Sequence, residues 1–288
     1  MQTEPVKQLD SYELTARPMR LEDIPALHAL TIGVQWPHRP DDLAMLIRLG
    51  HGVVAEDAIG RVVGSAMWWP MGPDFARIGM VITYPRLQAQ GGGRWLMQQI
   101  DGAIGSRDKA LTATREALRL YLSLGFRSGA TVYLHQGTVV ATPAAVPGAR
   151  PVVAADEAAI RALDAAAFTA ERRAVLDELL AVSQGTVIER DGEVAGFALC
   201  RPFGRGHVVG PVVAASEADA LALVAPHVSA HAGRFLRLDT REPEGPLRAY
   251  LEACGMHLFD TGTAMSLGRD RAPEGPVRTY GLASHSLG

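Results

Sequence analysis

The residues of this chain whose types and spacing could do chemistry start with Gln88-Ala89-Gln90-Gly91-Gly92-Gly93-Arg94. Three consecutive glycines let the backbone take positive φ and let a ligand approach the main chain without meeting a Cβ. Trp95, Leu96, Gln99 and Ile100 follow at spacings that suit one buried helical stripe, so the glycines open a helix. The free N–H groups of that helix start, together with the helix dipole, favour an anion, most naturally a phosphate or pyrophosphate. Arg86 and Arg94 add positive charge at the same spot. Glycine-rich turns from strand to helix also exist for tight packing alone, and the loop by itself leaves both readings open.

Three elements must position this loop. Residues 78–83 are apolar and partly β-branched, as a strand entering the loop should be. Leu111-Thr112-Ala113-Thr114 reads as a further short strand, and residues 115–124 as a helix stopped by Gly125. Two common phosphate loops fail here. A dinucleotide fingerprint needs glycine where Leu96 stands, and a P-loop needs Lys-Ser or Lys-Thr where Arg94-Trp95 stands. Gln88-x-x-Gly91-x-Gly93 instead resembles the acyl-CoA pyrophosphate loop of the GNAT superfamily of N-acetyltransferases. Ala117-x-x-x-Tyr121-x-x-x-Gly125-Phe126, after its short strand, is similar to the segment that follows that loop in the family.

The resemblance implies acetyl-CoA as cosubstrate, no metal, and direct attack by a primary amine of a small or amino-acid-like acceptor in a ternary complex. Gln88, Ala89, Gln90, Gly91, Gly92, Gly93 and Arg94 would hold the pyrophosphate. Main-chain groups of Met80, Val81 and Ile82 would meet the pantetheine arm, one N–H serving the oxyanion. Thr114 stands where many members carry Asn to contact the cofactor arm. Tyr121 matches the tyrosine that protonates the departing thiolate. Plain core roles are compatible with Met80, Val81 and Ile82, and a core tyrosine is the competing role for Tyr121, since Tyr250 repeats it where no cofactor is expected. An acyl-CoA-binding sensor without turnover is the alternative function.

On the acceptor side, Trp36 and His38 lie in a proline-rich loop, and Trp68-Trp69 end a strand. Neighbouring strand residues face opposite ways, so at most one of this tryptophan pair lines a pocket. Trp36, His38 and Trp69 form the expected acceptor wall. The strand over 76–83 carries no carboxylate; Glu56, His38 and Asp74 are available as a proton acceptor, and no motif selects among them. His28, His227 and His231 read as surface or capping residues, having no ligand pattern around them.

The 288 residues suit two domains with a core each, and 48% apolar and 20% charged residues are globular values. A net charge of −3 does not suggest nucleic acid or an anionic membrane as partner. Cys200 and Cys254 lack metal spacing and read as thiols of a reducing cytoplasm. No apolar run would cross a bilayer, and the N-terminus has no signal-peptide core. The expected assembly is a monomer or homodimer.

The chain also repeats itself. Arg17-Pro18, Asp23 and residues 52–56 recur as Arg150-Pro151, Asp156 and residues 185–189 at one constant offset, and Tyr121 to Phe126 is echoed from Tyr250 on. The fold expected is therefore α/β (α+β): two tandem GNAT-like domains, each a mixed, mostly antiparallel sheet flanked by helices, over residues 12–141 and 152–288 with a linker at 142–151. Opposite the glycine loop the second copy has no glycine but Glu217 and Asp219, which would repel a pyrophosphate. The second copy should have kept the fold and lost the CoA site. Residues 277–283 read as a closing strand whose sheet the sequence does not identify.

Overall fold

A computed structural model describes residues 5–9, 12–84, 90–140, 146–269 and 271–288. The first half runs β1 (Val6–Leu9), β2 (Tyr12–Pro18), α1 (Ile24–Gly33), α2 (Pro40–Leu49), β3 (His51–Asp57), β4 (Val62–Pro70), β5 (Phe75–Thr83), α3 (Gly92–Ile104), β6 (Asp108–Ala113), α4 (Leu118–Ser123) and β7 (Arg127–Thr138). The second runs β8 (Ala149–Pro151), α5 (Glu157–Phe168), α6 (Arg173–Val182), β9 (Gln184–Arg190), β10 (Glu193–Phe203), β11 (Gly206–Ala214), α7 (Glu217–Ala230), β12 (Phe235–Thr240), α8 (Pro246–Ala253), β13 (His257–Leu267) and β14 (Arg278–Gly281).

Local chemistry accounts for the element ends. The N-terminal residues before the expected first domain form a strand, because β1 pairs antiparallel with β2. Asp42 caps α2: its carboxylate accepts from the Arg39 N–H at 2.9 Å. Helix α4 is shorter than the 115–124 expected. It ends at Gly125 (φ +87°), where the Phe126 N–H reaches the Tyr121 carbonyl at 3.0 Å. The internal repeat is a repeat of interactions. Arg17 bridges Asp23 (2.7 Å) and Glu56 (2.6 Å), and Arg150 bridges Asp156 (2.7 Å) and Glu189 (2.5 Å).

The strands form one continuous mixed, mostly antiparallel sheet in the order β1-β2-β3-β4-β5-β6-β13-β7-β12-β11-β10-β9-β8, with β14 on β11. The centre of that order is an exchange. β13 of the second half lies between β6 and β7 of the first, and β7 lies between β13 and β12 of the second. Each half thus supplies a strand that the other's sheet would lack.

Burial follows the same plan. One buried cluster is centred on the first half, among Trp95, Leu96, Ile100, Leu111 and Tyr121, and takes in Met265 of β13. A second is centred on the second half, among Leu223, Val228, Leu236 and Leu251, and takes in Val139 just past β7. A third is common to both: Leu43, Leu46, Trp69 and Phe75 pack with Ile160, Leu176, Leu179 and Phe197. The expectation of a separate core for each half is therefore incomplete, because α2 meets α6 across the junction and the shared cluster runs from Leu27 of α1 to Ile160 of α5. No helix among the described residues is long and apolar enough to cross a membrane.

Candidate active site

β5 and β6 run parallel and pair only at Phe75, Ala76 and Arg77, after which they part. Just beyond the parting, Met80 and Val81 together oppose the single residue Ala66 of β4, which makes a bulge. Met80 takes φ +52°, and the Ser65 hydroxyl fixes its carbonyl at 2.7 Å. A non-glycine residue in that conformation carries strain held by its surroundings, and the bulge leaves Met80 and Val81 out of the β4 ladder. Past Thr83 the chain enters the glycine segment. Gln88 and Ala89 lie outside the described residues. Gly91 caps α3 with φ +87°, a conformation that suits glycine, and Gly92 and Gly93 form its first turn. A Cβ on Gly93 would meet only the tip of Leu120, at 3.0 Å. Gln90 is exposed beside this turn, and Arg94 is exposed with its guanidinium on the Ser123 hydroxyl.

The gap opens into a cavity of about 410 Å³. Ile78, Gly79 and Met80 line it from β5, Thr112 and Ala113 from β6, and Thr114 and Glu116 from the turn into α4. Trp36 and His38 form part of its wall, from the loop between α1 and α2. Trp69 does not. It is fully buried behind Gly79 and donates its indole N–H to the Leu46 carbonyl at 2.9 Å, because α2 covers that face of β4. Trp68 is buried on the other face, beside His51 and Arg107, so neither member of the pair lines the cavity. Tyr121 is buried against Phe126, outside the cavity's lining, and burial raises its phenol above the ordinary range. Val81 is the second residue of the bulge, and Ile82 continues β5 past it, buried.

Of the proton-acceptor candidates, Glu56 is tied to Arg17, and Asp74 is tied to Arg269 (2.5 Å) and Arg271 (2.9 Å). His38 reaches the cavity with a buried, unpartnered Nδ1, its ring edge-on to Phe203, and burial lowers it to about 4. It is a neutral imidazole at pH 7. Of the other histidines, the surface reading fails at His227 and His231, while the capping reading holds for His231 at the end of α7. His227 and His231 are buried rather than superficial: His227 Nε2 contacts the Thr186 hydroxyl at 3.1 Å, and His231 Nδ1 contacts the His227 carbonyl at 2.7 Å. His28 is half-buried and contacts the His38 carbonyl, which steadies the wall loop. Both cysteines are free and buried. Among the described residues no cluster of His, Cys, Asp or Glu could hold a metal ion.

The second half has the same parting, differently used. β11 and β12 pair in parallel only at His207 and Val208. The bulge residues opposite Leu199 are Gly210 and Pro211, so the second has no N–H to offer. The gap is then filled from within the chain. β14 pairs with β11 at Val212, Val213 and Ala214, and the Leu282 N–H reaches the Asp239 carbonyl of β12 at 2.8 Å. The closing strand thus joins the second half's sheet, in the slot that stays open in the first. At the start of α7, Glu217 accepts from the Leu247 N–H, Asp219 pairs with Arg190, and Ser216 caps the Asp219 N–H.

Beyond β14 the chain crosses to the first half, and this segment gave no signal in the sequence. Ser284, His285 and Ser286 line the cavity. Buried arginines hold the tail by its carbonyls: Arg77 on His285 (2.6 Å), Arg172 on Leu287 (2.7 Å) and Gly288 (2.8 Å), and Arg201 on Ala283 (2.9 Å). An arginine inside the apolar run Ala76-Arg77-Ile78 was the one hint that a buried acceptor was coming. The tail comes so close to β5 that a Cβ on Gly79 would lie 2.7 Å from the Ser286 hydroxyl. Phe203, Arg205, Arg237 and residues 259–262 complete the cavity, so much of its wall belongs to the second half.

A family model described as an acetyltransferase (GNAT) domain matches residues 160–281, and another of the same description matches residues 48–128, together well over half of the chain. No curated protein matches the sequence. A Pyrococcus horikoshii protein assigned as an acetyltransferase has a structure alike over 96% of this chain and 96% of its own, with a TM-score of 0.78 at 17% identity. A tandem GNAT protein from the clavulanic acid biosynthesis pathway is alike over 89% of this chain and 99% of its own, with a TM-score of 0.59 at 17% identity. A GCN5-related N-acetyltransferase from Sphaerobacter thermophilus is alike over 91% and 96%, with a TM-score of 0.58 at 18% identity. At such identities the likeness is one of fold.

Proposed function

The chain belongs to the GNAT superfamily of acetyltransferases, and on that premise we propose that its first half moves an acetyl group from acetyl-CoA to the primary amine of a small or amino-acid-like molecule. The observation that carries this reading is the asymmetry of the two partings: β5 and β6 stay apart beside a bulge and a glycine-capped helix, whereas β11 and β12 are bridged by β14. Acetyl-CoA supplies the activated thioester carbonyl. The first turn of α3, with Gln88 to Arg94, offers backbone donors and a helix start to the pyrophosphate. Main-chain groups of Met80, Val81 and Ile82 receive the pantetheine arm and the developing oxyanion. Thr114, on the opposite lip of the gap, faces the cofactor arm, and Tyr121 returns a proton to the thiolate. Trp36 and His38, with the second half's share of the wall, shape the acceptor side. Attack is direct within a ternary complex, since the cavity adjoins the gap in which the thioester would lie. The reading includes a cytoplasmic monomer or homodimer with no metal, nucleic-acid or membrane partner.

The test is calorimetric titration of CoA into the intact chain, followed by thiol release from acetyl-CoA with a panel of primary amines. One site per chain and amine-dependent thiol release are expected. Gly93→Glu should lose binding by orders of magnitude, since like charges ~4 Å apart repel by roughly 4 kcal/mol near a protein surface. Unchanged affinity in that variant, or two sites per chain, would sink this assignment. Tight binding without thiol release from any amine would favour a sensor instead.

A further inference from the structure

We propose that His285, on the tail that the second half sends across to the first, takes the proton from the acceptor's ammonium group, with Asp239 behind it. The inference rests on acetyl transfer being the reaction of this cavity. His285 lines the cavity and its side chain remains 29% exposed. Its Nε2 is buried 3.4 Å from Asp239 Oδ2, and neither ring nitrogen makes a hydrogen bond among the described residues. Asp239 is itself fully buried and held by Arg237 through two bonds of 2.8 and 2.7 Å. Nε2 faces the Asp239 carboxylate without a hydrogen bond, which leaves Nδ1 as the nitrogen to accept, and a positive charge arriving on the ring has a carboxylate at its back.

The position suits the chemistry. Arg77, at the point where β5 and β6 part, grips the His285 carbonyl, and the next residue, Ser286, touches Gly79, one residue before the Met80 bulge. An amine between the ring and the bulge would lie in line with a carbonyl held at the bulge. His38, by contrast, sits edge-on to Phe203 across the cavity. The charged groups facing the ring are Asp239 and Arg237 of β12, Arg77 of β5 and Asp260 of β13. Burial outweighs the two acids and lowers the imidazole to about 4, so the resting ring is neutral at pH 7 and holds a proton only in passing to solvent. In the step, an ammonium N–H bond breaks and its proton passes to Nδ1. The freed pair forms the N–C bond, the C–S bond breaks, Tyr121 gives its proton to the departing sulfur, and the amine's second proton restores that of Tyr121. The net change is RNH3+ plus acetyl thioester giving amide, thiol and one proton released through His285.

The experiment compares pH profiles of kcat/KM for the intact protein and His285→Gln, with CoA titration and thermal unfolding as checks on the fold. At pH 7 the variant should turn over about 100-fold more slowly or worse. Its rate should rise tenfold per pH unit with the free-amine fraction and converge on the parent's above the amine pKa. Imidazole should rescue His285→Ala, and the His285 Cε1–H resonance should move when the amine is added without acetyl-CoA. An active parent with an unchanged profile in His285→Gln, or the loss appearing in His38→Gln instead, overturns this inference alone. A parent that releases no thiol with any amine overturns the acetyl-transfer reading with it.

Discussion

Tyr121 and Tyr250 occupy corresponding places in the two halves, on α4 and α8, and both are buried. Burial raises both phenols, so each stays protonated well past neutral pH and the shift does not by itself separate a general acid from a core tyrosine. Tyr121→Phe should keep acetyl-CoA affinity and slow transfer by ~100-fold, as loss of a general acid does. Equal steady-state rates for parent and variant across the pH range would return Tyr121 to the core it shares with Trp95 and Phe126. At this scale the sequence was legible where local chemistry decides. Trp36 and His38 reach the cavity because Pro37 and Pro40 keep their segment from continuing as helix. Trp69 was misplaced because strand alternation says only that neighbours face apart, and here both faces are covered, one by α2 and one by α3. His285 could not be found at all, since the groups around it come from β5, β12 and β13.

Among the elements, β5, the glycine turn and α3 were readable because strand, turn and helix are neighbours in the chain. The use of β14 was not, because the gap it fills lies between strands far upstream and is bridged by backbone groups that every residue has. What holds the tail past β14 is sharper chemistry. Arg172 is buried, forms a two-pronged pair with buried Asp164 at 2.8 Å, and gives its remaining donors to the carbonyls of Leu287 and Gly288. Removing one member of such a pair strands the other's charge. Arg172→Met should therefore lower stability by about 3–5 kcal/mol, and Arg172→Met with Asp164→Asn should recover part of that loss. Denaturant midpoints measure both. The tail should also become a site of early proteolysis in the single variant. A midpoint within error of the parent would mean that the pair and the tail are held by packing alone.

For the molecule as a whole, the duplication was legible as an arithmetic offset, and the arginine-centred triads give it a physical meaning. The exchange of β7 and β13 was not legible, because a strand's pattern says which face is buried but not which chain segment lies beside it. That exchange decides how the halves depend on each other. β13 pairs with β6 over Thr263 to Leu267 and with β7 from His257 to Ser266, while β7 also pairs with β12 from Tyr133 to Thr138. A first half cut within 141–145 would keep β6 and β7 but lose the strand between them, leaving open edges at the centre of its sheet. It would also uncover Leu43, Leu46 and Phe75, which pack on the second half. Open, unprotected edges pair with whatever edge they meet. Because the two halves share one plan, the nearest substitute for β13 is β7 of another first half. The isolated first half should therefore self-associate or precipitate, and co-expression with residues 146–288 should give a soluble one-to-one complex that binds CoA. Light scattering and CoA titration of the separate and co-expressed fragments check this. An isolated first half that stayed monomeric and unfolded cooperatively at the midpoint of the intact chain would mean that the exchange contributes nothing to the stability of either half.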